Sequence, residues 1–336
     1  MNLSSKLKLG LGLTYGDVLL VPKLGIVSSR TEVNTDTFLT ESIKMTVPIV
    51  AAPMSSVTNA KVARSISMMG GSAFIHRNQA AMYQVNEWSD SRASNPNSGN
   101  VGCAVGITEM VGDRLIHLYK YGCRLFCLDI AHAHSVYAEK WLSSIPGYIM
   151  DESEFIFGSI ATGEAVDWYK QRFNPAGFRV GIGPGAACTT REKTGHGVPQ
   201  LTAVSECVHA ADGIPVIADG GINTSGDIVK ALAVGASSVM LGRLLAGAEE
   251  SPHPGHYYGM ASDRAKKELG YTSEFTEGVE AEVPVHGTIE SIVNSLMSGI
   301  KSGISYSGGR DIRGLQKNYE FIKVSPATEK ESNVRV

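Results

Sequence analysis

The chain has 336 residues, 43% of them hydrophobic and 19% charged, with a formal net charge of −3. That hydrophobic share supports a sizeable core, and the length suits one large α/β barrel with insertions. The charge balance builds no polycationic face, which argues against a nucleic-acid partner, and the low charged fraction suggests surface buried between subunits. Five cysteines (103, 123, 127, 188 and 207) form no CxxC pair and no zinc spacing, as expected in a reducing compartment without a disulfide framework. The opening MNLSSKLKLG carries no signal-type apolar run. The most apolar stretch, 231–248, is interrupted by Ser237, Ser238 and Arg243, so it reads as a buried strand and its loop, not a membrane span. The expectation is a cytoplasmic protein.

Eight short apolar runs follow one another: Val47–Met54, Ser72–Ile75, Gly102–Ile107, Leu125–Ala131, Phe155–Ile160, Phe178–Ile182, Pro215–Ala218 and Ser238–Leu241. Each precedes a glycine, hydroxyl or acidic turn and then a helix-like stretch. Continuous apolar runs mark strands buried on both faces, and eight such β/α units predict a (β/α)8 barrel within residues 1–325. The polar segment Asn86–Asn100, NEWSDSRASNPNSGN, predicts an exposed loop, and residues 326–336 a frayed polar tail.

Barrel active sites lie at the C-terminal ends of the strands. The first run ends at Met54, the second beside Arg77 and the third beside Thr108. The fourth ends in Asp129, followed by His132 and His134. Two histidines at this spacing beside an aspartate suit a metal, but no further ligands cluster near them in sequence, so Asp129 reads as a polar contact to a cofactor. The sixth end is GIGPGAACTT, residues 181–190, a glycine-rich loop that exposes backbone groups and presents Cys188 beside Thr190. Cys188 there is either an activated nucleophile or a small buried hydrophobe. The seventh end places Asp219 before Gly220 and Gly221, and the eighth places Gly242 before Arg243. Loops after the last two strands form the recurrent phosphate site of these barrels, and Asp219 suits vicinal ribose hydroxyls. The bland alternatives are a plain turn at the glycine pair and a surface charge at Arg243. Glu277 is either a general acid/base or a turn carboxylate.

The segment GIGPGAACTTREKTGHGVPQ resembles the cysteine-loop signature of the inosine monophosphate dehydrogenase and guanosine monophosphate reductase family. So, in the same order, do LTYGDVLLVP, PIVAAPMSSVTN, AFIHRN, IADGGINTSGDIVKALAVGASSVMLGRLLAGAEESP, YYGM and SGIKSGISYSGGRDI. The resemblance runs from about Leu13 to Ile322. It implies a purine nucleoside monophosphate ligand, a homotetramer, and Cys188 as nucleophile toward purine C2, with Thr190 and Glu277 handling protons. It further implies that Met54, Tyr258, Gly259, Met260 and Gly278 lie on the substrate with the seventh- and eighth-strand residues. Arg77, Thr108, Asp129 and Ser159 would line the nicotinamide cofactor, NADPH for the reductase or NAD for the dehydrogenase. Carbonyls at Gly183, Gly185 and Cys188 would hold a potassium ion.

Three features point to the reductase. No regulatory CBS-type module follows the second run. The path from Met260 to Glu277, ASDRAKKELGYTSEFTE, is short and lacks the Arg-Tyr pair with which the dehydrogenase activates water. Thr190 and Glu277 stand at the reductase's matching positions. Against it, AFIHRN, LDIAHAHS and EGVEAEVP read closer to dehydrogenases. Ser159 stands where an asparagine is common, and Ala186 replaces a serine that usually contacts phosphate, a loss Arg243 would offset. A flapless dehydrogenase is the alternative activity. A nucleotide-binding regulator and a flavin-dependent barrel are the other classes the pattern admits.

Overall fold

The computed structural model describes residues 11–95, 97–107, 114–268, 270 and 278–332. All eight expected runs become strands: Ile49–Ala51, Ser72–Ile75, Val101–Val105, Leu125–Leu128, Glu154–Ile160, Gly177–Val180, Val216–Asp219 and Ser238–Leu241. They pair in parallel in sequence order, and the eighth closes on the first with Val239 opposite Ile49 and Leu241 opposite Ala51, giving a closed (β/α)8 barrel. Closure removes both sheet edges, which explains why short strands of three to seven residues suffice.

Inside the barrel, Val50, Phe74, Leu125, Cys127, Ile156, Ile217 and Met240 interdigitate as one buried cluster. A hairpin, Thr37–Phe38 with Lys44–Met45, adds Leu39 and Met45 to that cluster. Outside, the helices pack their apolar faces on the strands in a second core. The helix Ala60–Met68 shows the local logic: Val62, Ala63 and Ile66 recur at helical spacing and are buried, and the Asn59 side chain caps the Val62 amide at 3.0 Å. Val18–Leu20 and Phe321–Lys323 pair antiparallel, joining segments near the two ends of the chain.

The fourth-strand loop rests on an aromatic stack. Phe157 and Tyr169 lie 4.7 Å apart, Phe155 and Phe126 5.2 Å, and the Tyr169 hydroxyl donates to the Ala133 carbonyl at 2.7 Å. Two further bonds, Ala133 N–H to the Ser159 carbonyl and Ser159 N–H to the Ile130 carbonyl, tie that loop to the fifth strand.

Two expectations are corrected. Residues 86–92 are not loop but the second half of a helix, Ala81–Arg92, and Trp88, Ser91 and Asn95 are buried. The Trp88 indole donates to the Val101 carbonyl at 3.0 Å, so a segment that is polar by composition is anchored by one aromatic. The start of the expected tail, Pro326–Ser332, is helical, while residues 333–336 lie outside the described residues. No helix among the described residues is long and apolar enough to cross a membrane.

Two stability outcomes follow from this packing. A Cβ on Gly102 would meet the Leu125 carbonyl at 2.6 Å and Phe74 at 2.7 Å, so Gly102→Ala overpacks the interior. A loss of about 1–3 kcal/mol is expected, read as a Tm several degrees lower; an unchanged Tm would mean that the interior has slack there. His76 is buried, and that burial, despite opposing attraction from Glu268, pushes its pKa down to about 4. The unfolded imidazole titrates near ~6.5, so between these values the unfolded state binds a proton that the folded state refuses, and stability falls as pH drops through that window. The wild-type loss from pH 7 to pH 4 should exceed that of His76→Gln by on the order of 2–3 kcal/mol in denaturant titrations; parallel curves would refute the assignment.

Candidate active site

The strand ends converge on one cleft of about 360 Å³, the size of a small-ligand pocket. Its walls include Met54, Arg77, Asp129, Ser159, Cys188, Thr190, Asp219, Gly220, Gly221, Gly242, Arg243, Gly259 and Met260. Residues far apart in sequence are thus brought together as expected. The structure differs on others. Tyr258 does not line the cleft; it is fully buried and its hydroxyl donates to Glu268 at 2.7 Å. Its neighbour Tyr257 lines the cleft instead, because alternate residues of the short strand His256–Tyr258 face opposite ways. Gly278 stands behind the cysteine loop and not in the wall. Thr108 and Glu277 lie outside the described residues.

The cysteine loop is built by close backbone approach. Gly183 has a left-handed φ of +84°, which glycine adopts without a Cβ penalty. The Cys188 amide donates to the Gly185 carbonyl at 3.0 Å, turning the loop inward, and the Val279 amide donates to the Ala187 carbonyl at 3.0 Å, so the segment after Glu277 pairs with the loop that carries Cys188. Cys188 is half-buried, and its Sγ lies 3.2 Å from the Thr190 Oγ1, within hydrogen-bonding reach. A thiolate there accepts the threonine hydroxyl proton as a hydrogen bond, an arrangement suited to a nucleophile with a proton-handling neighbour.

The seventh-strand loop abuts this one. Gly220 and Gly221 have φ of +91° and +76°, and a Cβ on Gly220 would sit 2.9 Å from Pro184 and 3.0 Å from the Gly185 amide. Gly242 is equally tight: a Cβ would meet the Tyr257 hydroxyl at 3.0 Å and the Met54 sulfur at 3.2 Å. Burial pushes the Tyr257 pKa up, so its hydroxyl stays protonated and able to donate. The exposed Arg243 guanidinium reaches Asn223 Oδ1 at 3.5 Å on the same rim. Arginine, asparagine, tyrosine and glycine backbone at one end present a donor-rich wall, the chemistry that suits an anion.

At the other end, Asp129 meets two arginines: Arg179 Nη1 at 2.9 Å and Arg77 Nε at 3.4 Å. Burial works against the Asp129 charge, but Arg179 and Arg77 outweigh it and hold the carboxyl below its usual value. Asp219 is the opposite case. Burial pushes its carboxyl up, Arg179 offsets part of the shift, and Asp129 adds to it. The Ser159 hydroxyl accepts from Arg179 Nη2 at 2.8 Å. Arg179 and Tyr257 were missed in the sequence. Arg179 sits inside an apolar strand run, GFRV, and a charge in such a run is the signal that marks it. His132 and His134 stack edge to face 6.3 Å apart, with His134 against Trp168.

The segment after Met260 turns its arginine away from the cleft. Arg264 lies over the Tyr258 ring at 4.7 Å and pairs with Glu280 and Glu268.

Known proteins resemble this chain in sequence and fold. Residues 12–335 match the family model described as IMP dehydrogenase / GMP reductase domain. The chain is 34% identical to inosine-5'-monophosphate dehydrogenase of Cryptosporidium parvum over 97% of its own length and 95% of that protein. It is 33% identical to human GMP reductase 2 over 93% and 94%. A solved structure, a cysteine-to-alanine variant of GMP reductase from Trypanosoma brucei in complex with guanosine 5'-monophosphate, superimposes with a TM-score of 0.88 at 26% identity over the full length of both chains. With a closed (β/α)8 barrel, no CBS-type insert and a cysteine loop at the sixth strand end, the chain belongs to the IMP dehydrogenase / GMP reductase family of purine nucleotide oxidoreductases.

Proposed function

We propose that the protein is a GMP reductase that converts GMP, NADPH and two protons into IMP, NADP+ and ammonium. The observation that favours the reductase is the fate of Arg264. The arginine of the short post-Met260 segment is held by Tyr258, Glu268 and Glu280 outside the cleft, so it is not placed to activate water there.

In this reading the nucleotide phosphate lies against Gly220, Gly221, Gly242, Arg243 and the Tyr257 hydroxyl. Its ribose hydroxyls donate to Asp219, and Met54, Gly259 and Met260 flank the base. The Cys188 thiolate attacks purine C2, forming the C–S bond. Thr190, with Glu277, delivers the proton with which the C2 amino group leaves as ammonia. The nicotinamide cofactor, when bound, supplies the hydride that C2 then accepts. The C–S bond breaks, Cys188 recovers its electron pair, and IMP is released. Arg77, Asp129 and Ser159 would hold the cofactor, since they line the far end of the cleft and present a carboxylate, a guanidinium and a hydroxyl. The protein contributes position and electrostatics. The Gly183–Cys188 loop offers carbonyl oxygens, the donor type of a potassium ion; one lone pair of the Gly185 carbonyl is committed to the Cys188 amide. A homotetramer is proposed for the assembly.

A second reading, an IMP dehydrogenase with another water activator, is supported by the Cryptosporidium relative, which spans nearly the whole chain.

Purified protein given GMP and NADPH should lose NADPH absorbance and release ammonia in equal amounts. If neither occurs and NADH forms from IMP and NAD, the dehydrogenase reading replaces the first. Cys188→Ala should retain nucleotide binding with turnover lowered at least about 1,000-fold, the scale of losing a nucleophile; an active variant would refute the covalent mechanism. Tyr257→Phe should weaken GMP binding by about tenfold, a charged hydrogen bond's worth. Tyr258→Phe should leave GMP affinity alone, and equal effects would overturn the assignment of Tyr257 to the phosphate.

A further inference from the structure

Arg179 is the most deeply buried charge of the cleft, with a side chain 6% exposed. Its planar fork is used on three sides. Nη1 donates to Asp129 Oδ1 at 2.9 Å, Nη2 donates to Ser159 Oγ at 2.8 Å, and Nε faces Asp219 Oδ2 at 3.6 Å with no hydrogen-bond partner among the described residues. Burying a guanidinium and two carboxylates together carries a desolvation penalty that well-packed apolar side chains would avoid, which points to a service these charges do for the ligand.

The surrounding backbone leaves Arg179 one place to go. A Cβ on Gly158 of the fifth strand would sit 2.6 Å from the Arg179 Cβ, and a Cβ on Gly181 would sit 2.0 Å from the Asp219 carbonyl. The Gln200 amide donates to the carbonyls of Val180 and Asp219 at 2.8 and 3.0 Å, locking the sixth strand to the seventh just above Arg179.

We infer that Arg179 is a positioning residue that clamps Asp129 and Asp219 together across the fourth, sixth and seventh strand ends and holds the Asp219 carboxylate in the orientation that receives the ligand's vicinal hydroxyls. This rests on the purine nucleotide reading for the identity of the ligand, but not for the clamp itself. Asp129 has a second arginine in Arg77, whereas Asp219 has Arg179 alone among the described residues. The other groups acting on this cluster are Cys127 beside Arg179, and Tyr15 and Tyr257, whose hydroxyls feel the Asp219 charge. Both tyrosines stay neutral because burial pushes them up, and Arg179 is the group that offsets part of the burial shift on Asp219.

The test uses Arg179→Lys, which keeps the charge but loses the three-sided fork, and the charge-balanced pair Arg179→Met with Asp129→Asn, which leaves no uncompensated carboxylate pair if the lysine variant does not fold. The Asp219 carboxyl is followed by carbon NMR over pH, assigned with Asp219→Asn, and GMP affinity is measured over the same range without cofactor. The clamp predicts that the Asp219 midpoint rises by about one pH unit or more, and that the pH below which GMP affinity is lost moves up by the same amount. A residue with only a structural role would lower affinity equally at every pH. A folded variant in which Asp219 titrates as in the wild type overturns the inference. If the midpoint moves but wild-type protein binds no GMP, the purine reading fails and the clamp stands.

Discussion

Everything at the site depends on the pairing of the eighth strand with the first. Val239 opposite Ile49 and Leu241 opposite Ala51 turn an open twisted sheet into a barrel. Only after closure do Met54, at the first strand end, and Gly242, at the eighth, face each other across 3.2 Å of potential Cβ contact. The same closure fills the interior with Val50, Phe74, Ile156 and Met240, so the strands cannot slide without breaking a packed core. A rigid rim of loop ends follows from that.

On this rim the residues are sorted by environment. The end with Gly220, Gly221, Gly242, Tyr257 and Arg243 is donor-rich and open, with Arg243 in solvent. The end with Asp129, Ser159 and Arg179 is buried, and charges there interact strongly because water is excluded. Cys188 lies between them, on a loop braced by the Gly185 carbonyl on one side and Val279 on the other. A donor-rich end, a buried carboxylate and a central thiol are the features on which the proposed mononucleotide reading rests.

Two glycine-lined approaches explain why this geometry tolerates little change. A Cβ on Gly220 would stand 2.9 Å from Pro184 of the cysteine loop, and a Cβ on Gly181 would stand 2.0 Å from the Asp219 carbonyl of the seventh strand. Side chains at either position would push Cys188 and Asp219 apart. The aromatic stack of Phe126, Phe155, Phe157 and Tyr169 lies beneath the fourth-strand loop and holds it through the Tyr169 hydroxyl on the Ala133 carbonyl.

The barrel, its eight strands and most of the site were legible in the sequence because they depend on local pattern: continuous apolar runs, and glycine, aspartate and cysteine at their ends. Composition misled at Asn86–Arg92, where polar residues form a helix because one buried tryptophan anchors it. The resemblance puts Tyr258 on the substrate, but nothing in two adjacent tyrosines says which one faces inward until the strand is paired with Glu280–Glu282. Arg179 was passed over because its meaning lies in partners 50 and 40 positions away, Asp129 and Asp219. By itself, then, the sequence determined which residues could do chemistry and at which strand ends they would stand. The tertiary structure alone decided which of them meet, which way each points, and which charge acts on which carboxylate, because these are set by contacts between distant segments and by the exclusion of water from the space between them.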